Sequence, residues 1–331
     1  MLRNSIFASI IAAAISVTPA FAESITVQSW GTTWETGLND IASSFTKETG
    51  IEVIPLSQAS STEGLVKLQG MRDNPQIDVW FTTASVAARA ETDNKLFSKI
   101  DPAALKNAGD LINGARTDYW VAAYYYPLSI VYRPDLVSEP IKEWADLWDP
   151  KFKNKLALPS IEMYQARMLL VSALINKGDV DHIDSGFDKL KELAPNAAMW
   201  YPSDSDARRA IATGEAVAVV GPPLYSQMLK DDGLPAAIVS PTPSPVMFDV
   251  MMLLNTPRKE AAQKFIDYVI GVKSQEIFSK LYEAPVNVKA EPAPEFAKVL
   301  PAEKNQVVFD ERKINSQINS WTERFHGEVA K

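Results

Sequence analysis

Apolar and polar positions alternate along this chain with two distinct periods. Between residues 24 and 30 (SITVQSW), Ile25 and Val27 alternate with Thr26 and Gln28, the period of a strand. From Thr36 the period lengthens. Leu38, Ile41, Ala42 and Phe45 fall three and four residues apart, on one face of a helix, and Gly50 stands where a C-terminal cap belongs. Residues 51–56 (IEVIPL) read as a strand again. Strand, helix and strand within about 35 residues make a βαβ unit, which implies a parallel sheet. The alternation continues with a helix carrying Leu65, Leu68 and Met71, a strand at 77–81 and a helix at 86–94.

The middle of the chain differs in texture. Residues 119–132 (YWVAAYYYPLSIVY) are aromatic and extended in character. A short helix at 141–149 is stopped by Pro150, and a short strand follows at 155–158. Residues 164–176 predict one continuous helix with Met168, Leu169, Ser172 and Ile175 on one face. Helices at 183–193 and 206–213 and a strand at 216–220 come next. Residues 240–245 (SPTPSP) hold three prolines and read as a connector. Beyond it lie a strand at 248–254, helices at 258–270 and 274–282, a stretch rich in Pro, Ala and charge at 291–303, and a closing helix at 314–325.

Two α/β sets separated by breaks near 118–130 and 240–246 predict two lobes, the second inserted into the first. Lobe 1 takes residues 23–120 and 246–290, lobe 2 takes 121–245, and 291–331 form a C-terminal helical segment. In open α/β sheets ligands bind beyond the carboxyl ends of the strands. Two facing lobes therefore predict one interlobe cleft.

The first 22 residues stand apart from this pattern. Arg3 precedes an apolar run at 6–17 that is too short to span a bilayer comfortably, and Ala20-Phe21-Ala22 matches a signal-peptidase site. Residues 1–22 are expected to be a cleaved signal peptide, which leaves 309 of the 331 residues, beginning at Glu23. No cysteine follows the cleavage point, so a periplasmic protein without a membrane anchor is expected.

Composition narrows the chemistry. The chain has 33 basic and 41 acidic side chains, a net charge of −8; loss of Arg3 with the leader leaves 32 against 41, or −9. That balance argues against a nucleic-acid partner, which needs a basic face. The absence of cysteine excludes disulfides, thiolate metal sites and a cysteine nucleophile, and His182 and His326 are too few for a multi-histidine metal centre. No G-x-S-x-G nucleophile motif occurs. Neither catalytic residues nor a cofactor or metal are expected.

Several segments resemble the extracellular solute-binding proteins of ABC importers: FTKETGIEV (45–53), WADLWDPKFKNKLAL (144–158), LKELAPN (190–196), FDVMMLLNTPRKEAAQKFIDYVI (248–270) and EAPVNVKA (283–290). The spermidine/putrescine-binding type is the group most resembled, with ferric-ion and phosphonate binders as relatives. The resemblance covers essentially the whole chain after the leader. It implies an α/β periplasmic binding protein of type II, with two lobes joined by a two-crossing hinge. It further implies a monomeric receptor, not an enzyme, that closes on a small-molecule ligand and delivers it to an inner-membrane ABC permease.

In the polyamine-binding relatives, Trp and Tyr faces and carboxylates hold the cation through cation–π attraction and charge-assisted hydrogen bonds. The resemblance places Trp30 at the first-strand tryptophan, Trp34 close to the tyrosine that follows it, and Asp249 at the deep aspartate. Most of the remaining box is missing. Thr32 and Thr33 stand where an acid is expected, Thr83-Ala84-Ser85 replaces Ser-Thr-Tyr, and Ser160, Ile161 and Tyr164 replace an acid pair. By the same resemblance Asn287 lines the cleft, and Tyr201 or Tyr225 falls where the iron binders carry paired tyrosines.

The residues themselves leave some roles open. The stretch 200–206 (WYPSDSD) reads as a cleft loop feeding a helix, where Asp204 either caps the helix or touches ligand. Hydroxyls at strand ends and helix starts, with free N–H groups beside them, suit carboxylate or phosphonate oxygen. The expected ligand is a polyamine-like amine or a zwitterionic amino compound whose amine meets Asp249. Two alternatives remain: ferric iron held by tyrosines, for which Tyr124, Tyr125 and Tyr126 are also candidates, and a secreted hydrolase using a carboxylate pair.

Overall fold

The computed structural model describes residues 23–31 and 33–330, with the side chains of Thr33 and Trp34 left out. The expected leader at 1–22 and Thr32 lie outside the described residues.

The chain opens with β1 (Ser24–Trp30), α1 (Thr33–Thr49), β2 (Glu52–Gln58), α2 (Ser61–Gly70), β3 (Val79–Thr83), α3 (Ala84–Ala90) and the short β4 (Phe97–Ser98). Strand β5 (Trp120–Pro127) then runs almost directly into β6 (Ser129–Tyr132). After them come β7 (Leu156–Pro159), α4 (Arg167–Ile175), α5 (Asp184–Leu193), β8 (Ala197–Tyr201), α6 (Asp204–Thr213), β9 (Ala218–Gly221), α7 (Leu224–Asp231) and β10 (Ala237–Val239). The return comprises β11 (Ser244–Leu254), α8 (Lys259–Val269), α9 (Val272–Lys280), α10 (Pro294–Ala297), β12 (Gln306–Val307) and α11 (Glu311–Glu328).

Two sheets result. The first has the order β12-β11-β3-β1-β2, with β4 and β5 also pairing β11. The second has the order β10-β6-β9-β7-β8. In the first sheet β1 is parallel to β2 and β3, as the βαβ reading expects, while β11 runs antiparallel to β3 and β5. Every residue of β11 is buried, which accounts for its nearly unbroken apolar sequence. Helix α1 buries Leu38, Ile41 and Phe45, and Phe45 meets Phe265 of α8 edge-on at 5.2 Å. Gly50 takes φ +75°, the left-handed cap conformation that its lack of a Cβ permits.

A buried carboxylate holds the far end of this sheet together. Asp78, fully buried, accepts from the Thr26 N–H at 2.8 Å, from the Thr256 hydroxyl at 2.5 Å and from the Arg258 guanidinium at 2.9 Å. One side chain thus joins the first strand, the approach to β3 and the exit from β11.

The chain leaves the first sheet at Pro127 and returns at Ser244. The expected lobe boundary at 120/121 therefore moves: β5 belongs to the first sheet along its whole length because it pairs with β11 from Trp120 to Pro127. The two crossings lie side by side, with the Leu128 N–H donating to the Pro245 carbonyl at 2.8 Å and the Ser129 and Ser240 hydroxyls 2.8 Å apart. The connector expected at 240–245 is cut short, since Ser244 and Pro245 already pair with β12. The expected C-terminal helical segment accordingly contributes a strand to the first sheet.

Helix α11 lies against both lobes. Its Asn315 donates to the Ser85 carbonyl at 2.9 Å on the first side, while Lys313 pairs with Asp181 at 2.6 Å and Arg324 with Asp184 at 2.8 Å on the second. Two predicted helices take other forms. Residues 144–148 wind as a 3-10 turn, and the helix predicted at 164–176 begins only at Arg167. Among the described residues no helix is long and apolar enough to cross a membrane.

Replacing Asp78 by alanine leaves three donors facing a dry gap. We expect the folded state to lose roughly 2–4 kcal/mol, read as a lower urea midpoint at unchanged slope.

Candidate functional site

The second sheet sends its chemistry to one edge. Strands β7, β8 and β9 run parallel, so their carboxyl ends open on the same side. Tyr164 and Arg167 follow β7, Asp204 follows β8 and Tyr225 follows β9. The Tyr164 hydroxyl donates to Asp204 Oδ1 at 2.6 Å and lies 2.8 Å from the Tyr225 hydroxyl, which also donates to Asp204 Oδ1. Sequence left Asp204 open between cap and ligand contact. Ser203 is the N-cap of α6, accepting from the Asp206 N–H at 3.2 Å and donating to its carboxylate at 2.6 Å. Asp204, one step further on, is thereby free to face the cleft.

Tyr164 reaches this position through an unusual backbone. Tyr164, Gln165 and Ala166 all take positive φ, at 50°, 47° and 59°. Left-handed conformations in residues other than glycine cost on the order of 1–3 kcal/mol each, which explains why the predicted helix does not start here. The phenol–Asp204 bonds and the Ala166 N–H bond to Ile161, at 3.0 Å, hold the segment in place. Gly221 is needed for a different reason: a Cβ there would come within 2.5 Å of the Tyr225 ring.

The first sheet supplies the opposite wall. Asp249 lies mid-strand in β11, opposite Thr83 of β3 and Tyr124 of β5. The β5–β11 register slips beside it, an irregularity of the kind that redirects side chains next to sites. The Tyr124 hydroxyl hydrogen-bonds Asp249, while Asp249 Oδ1 is buried without a partner. Burial raises the Asp249 carboxyl to about 7; the Tyr124 bond opposes the shift and the charge of Asp204 adds to it. Asp204 belongs to the second lobe, so the two walls sense each other electrostatically. Tyr126 is raised well above the usual phenol range, by burial first and then by Asp249, Glu283 and Asp204, with Arg167 acting the other way. Four ionisable side chains, drawn from both lobes, thus act on one phenol.

Arg167 is fully buried. Its guanidinium pairs with Glu311 of α11, donates to the Gln165 carbonyl at 3.1 Å and lies 5.2 Å from the Phe309 ring centre, yet its Nε has no partner. Ser160 Oγ and Thr82 Oγ1 are also buried without hydrogen bonds. Unpaired buried groups of this kind are costly.

The sequence-derived residues divide. Tyr164, Asp204 and Tyr225 form one cluster, and Asp249 with Thr83 beside it faces them from the other sheet. Trp30 ends β1 half-buried, level with Gln58. The Thr83 hydroxyl lies 3.2 Å from that of Ser85, which is itself buried. Asn287 does not face the cleft group: its amide donates to the Ile270 carbonyl at 2.8 Å and accepts from the Lys289 N–H at 3.0 Å, so both ends brace the backbone. Thr32 lies outside the described residues, as do the side chains of Thr33 and Trp34.

Sequence reasoning missed Arg167 and Glu283. A lone arginine opening the otherwise apolar run RMLLVSALI was the available signal for the first. Glu283 sits in a turn between Tyr282 and Ala284, and no periodicity marks it. The tyrosines at 124 and 126 were noticed but tied to iron or packing. Burial pushes Tyr124, Tyr164, Tyr201 and Tyr225 well above the usual phenol range, so they are neutral in the ligand-free protein.

The family profile described as bacterial extracellular solute-binding protein matches residues 40–302. The chain is 24% identical over 198 residues to the gamma-aminobutyric acid-binding protein of Pseudomonas aeruginosa, covering 57% of this chain and 55% of that one. It is 28% identical over 281 residues to spermidine/putrescine-binding periplasmic protein 1 of Haemophilus influenzae, covering 79% of this chain and 76% of that one. The match thus spans about half of the first relative's length and three quarters of the second's. A crystal structure of an ABC transporter protein from Clostridium perfringens superposes with a TM-score of 0.74 at 27% identity, over 92% of this chain and 99% of that one.

The raised Asp249 carboxyl ties stability to pH. In the unfolded chain it ionises near 3.8, in the folded protein near 7, so between those values the folded state holds the extra proton. Its contribution is full below pH 3.8 and is lost as pH rises through 7, over a span on the order of 4 kcal/mol. Thermal melts of the ligand-free protein from pH 4 to 8 are expected to show this downward slope, and Asp249→Asn to make it shallower.

Proposed function

The chain belongs to the bacterial extracellular solute-binding proteins, and from that premise we propose that it is the periplasmic receptor of an ABC importer, closing on a small zwitterionic amino compound. The observation that carries the ligand class is the pair of unpartnered buried atoms on facing lobes, Asp249 Oδ1 and Arg167 Nε. Asp249 takes the ligand's ammonium group, flanked by the Tyr124 and Tyr126 rings, and the phenols around Asp204 frame the opening. Arg167, with Ser160 beside it, takes the anionic end.

Closure follows from geometry. One end of the ligand is held by the first lobe and the other by the second, so the ligand binds the closed form better and shifts the population towards it. The paired crossings at Leu128 and at 240–243 let the lobes move with little change in either sheet, and a permease would read the closed form. The protein acts as a carrier and performs no reaction on its cargo. A linear polyamine would satisfy Asp249 and Asp204 but leave Arg167 Nε without an anion, which is why the zwitterion is favoured.

Calorimetry with 4-aminobutyrate, 2-aminoethylphosphonate, putrescine and spermidine tests this reading. One of the two zwitterions is expected to bind; binding of the polyamines alone would overturn it. Removing either buried partner should weaken binding on the order of 100-fold, in Asp249→Asn through the amine and in Arg167→Met through the anion. Small-angle scattering at saturating ligand is expected to show compaction, and an unchanged profile would remove the hinge mechanism.

A further inference from the structure

Glu283 is the least explained charged residue in the molecule. It is fully buried, and neither of its carboxyl oxygens has a hydrogen-bond partner. Its place is tightly set, because Ala284 next to it pairs with Tyr125 in both directions, at 2.7 and 3.0 Å. This bridge lays Glu283 alongside Tyr124 and Tyr126, against the buried Asp249. Among the described residues neither acid forms an ion pair.

We propose that Glu283 sets the charge of the amine end of the cleft, keeping its own proton so that two carboxyl groups present a single negative charge and accept a single ammonium group. The proposal rests on the preceding assignment of the amine to Asp249. Its physical basis is that two adjoining carboxyls in one dry pocket cannot both ionise. Asp249, hydrogen-bonded by Tyr124, is the one that does. Burial, and then the charge of Asp249, push the Glu283 carboxyl well above its usual range.

The groups around Glu283 fit this division. Asp249 of β11 acts on it through its charge, and Tyr124 and Tyr126 of β5 feel the charge of Glu283 in turn, while Asp204 and Arg167 of the second lobe reach only as far as Tyr126, and Arg167 is already held by Glu311. Tyr282, its chain neighbour, bonds Lys230 at 3.0 Å. A ligand ammonium brings one positive charge, Asp249 supplies one negative, and the closed pocket is neutral. A second ionised acid would leave a buried negative charge unbalanced.

Infrared spectroscopy of the ligand-free full chain at pH 8 tests the proposal. A protonated-carboxyl band is expected that moves with carbon-13 glutamate but not with carbon-13 aspartate and disappears in Glu283→Gln. Isotope labelling needs no variant, so it decides the matter even if Glu283→Gln fails to fold. A missing band, or one that follows the aspartate label, overturns the proposal. With 4-aminobutyrate as probe, a loss of affinity on the order of 100-fold in Glu283→Gln would make Glu283 a second anion and overturn it. Should 4-aminobutyrate fail to bind the native protein, the zwitterion assignment is in question while the infrared band still decides the state of Glu283.

Discussion

An ionisable group removed from water must find a partner, change its charge or remain costly, and the arrangement of this protein turns on that constraint. Asp249 is buried mid-strand with one oxygen unpaired, and its carboxyl rises to about 7 as a result. The surrounding tyrosines, Glu283 and Arg167 are each shaped by the same desolvation. Where the lobes meet, polar groups are dry but incompletely satisfied, which is the condition a ligand with matching charges relieves.

The rest of the fold makes that condition tolerable. Strand β11 is buried along its full length and fastened on several sides, so a carboxylate in its middle can be held in an unfavourable place. At its far end Asp78 illustrates the opposite solution, since its carboxylate is fully buried but matched by a backbone N–H, a hydroxyl and a guanidinium. The contrast, within a single sheet, is between an acid with a full set of partners and one left short of them. The second sheet contributes a different device. Parallel strands β7, β8 and β9 deliver Tyr164, Asp204 and Tyr225 to one edge, and a left-handed run at 164–166 turns the first of these inwards.

Helix α11 connects these parts. Its Glu311 holds the buried Arg167, while other residues along it pair with acids or carbonyls of both lobes. The anionic end of the proposed ligand would therefore meet an arginine already positioned by the C-terminal helix.

Much of this was legible from the chain itself. The strand and helix periods marked the βαβ opening, and the long apolar run at 248–254 marked the central strand, because burial on both faces imposes a pattern that neighbours in sequence can carry. The two crossings were visible as an aromatic stretch and a proline cluster, although only strand pairing showed that β5 stays in the first sheet. Asp249 was accessible through resemblance. What only the tertiary structure decided was the company each residue keeps. Ser203, and not Asp204, caps α6; residues 164–166 break the helix that their composition predicts; Asn287 braces backbone; Glu283 comes within reach of the charge of Asp249, and Arg167 within reach of Tyr126. Periodicity records which side of an element is dry, whereas a binding site depends on which distant side chains share the same dry space, and that relation exists only after the two sheets have met.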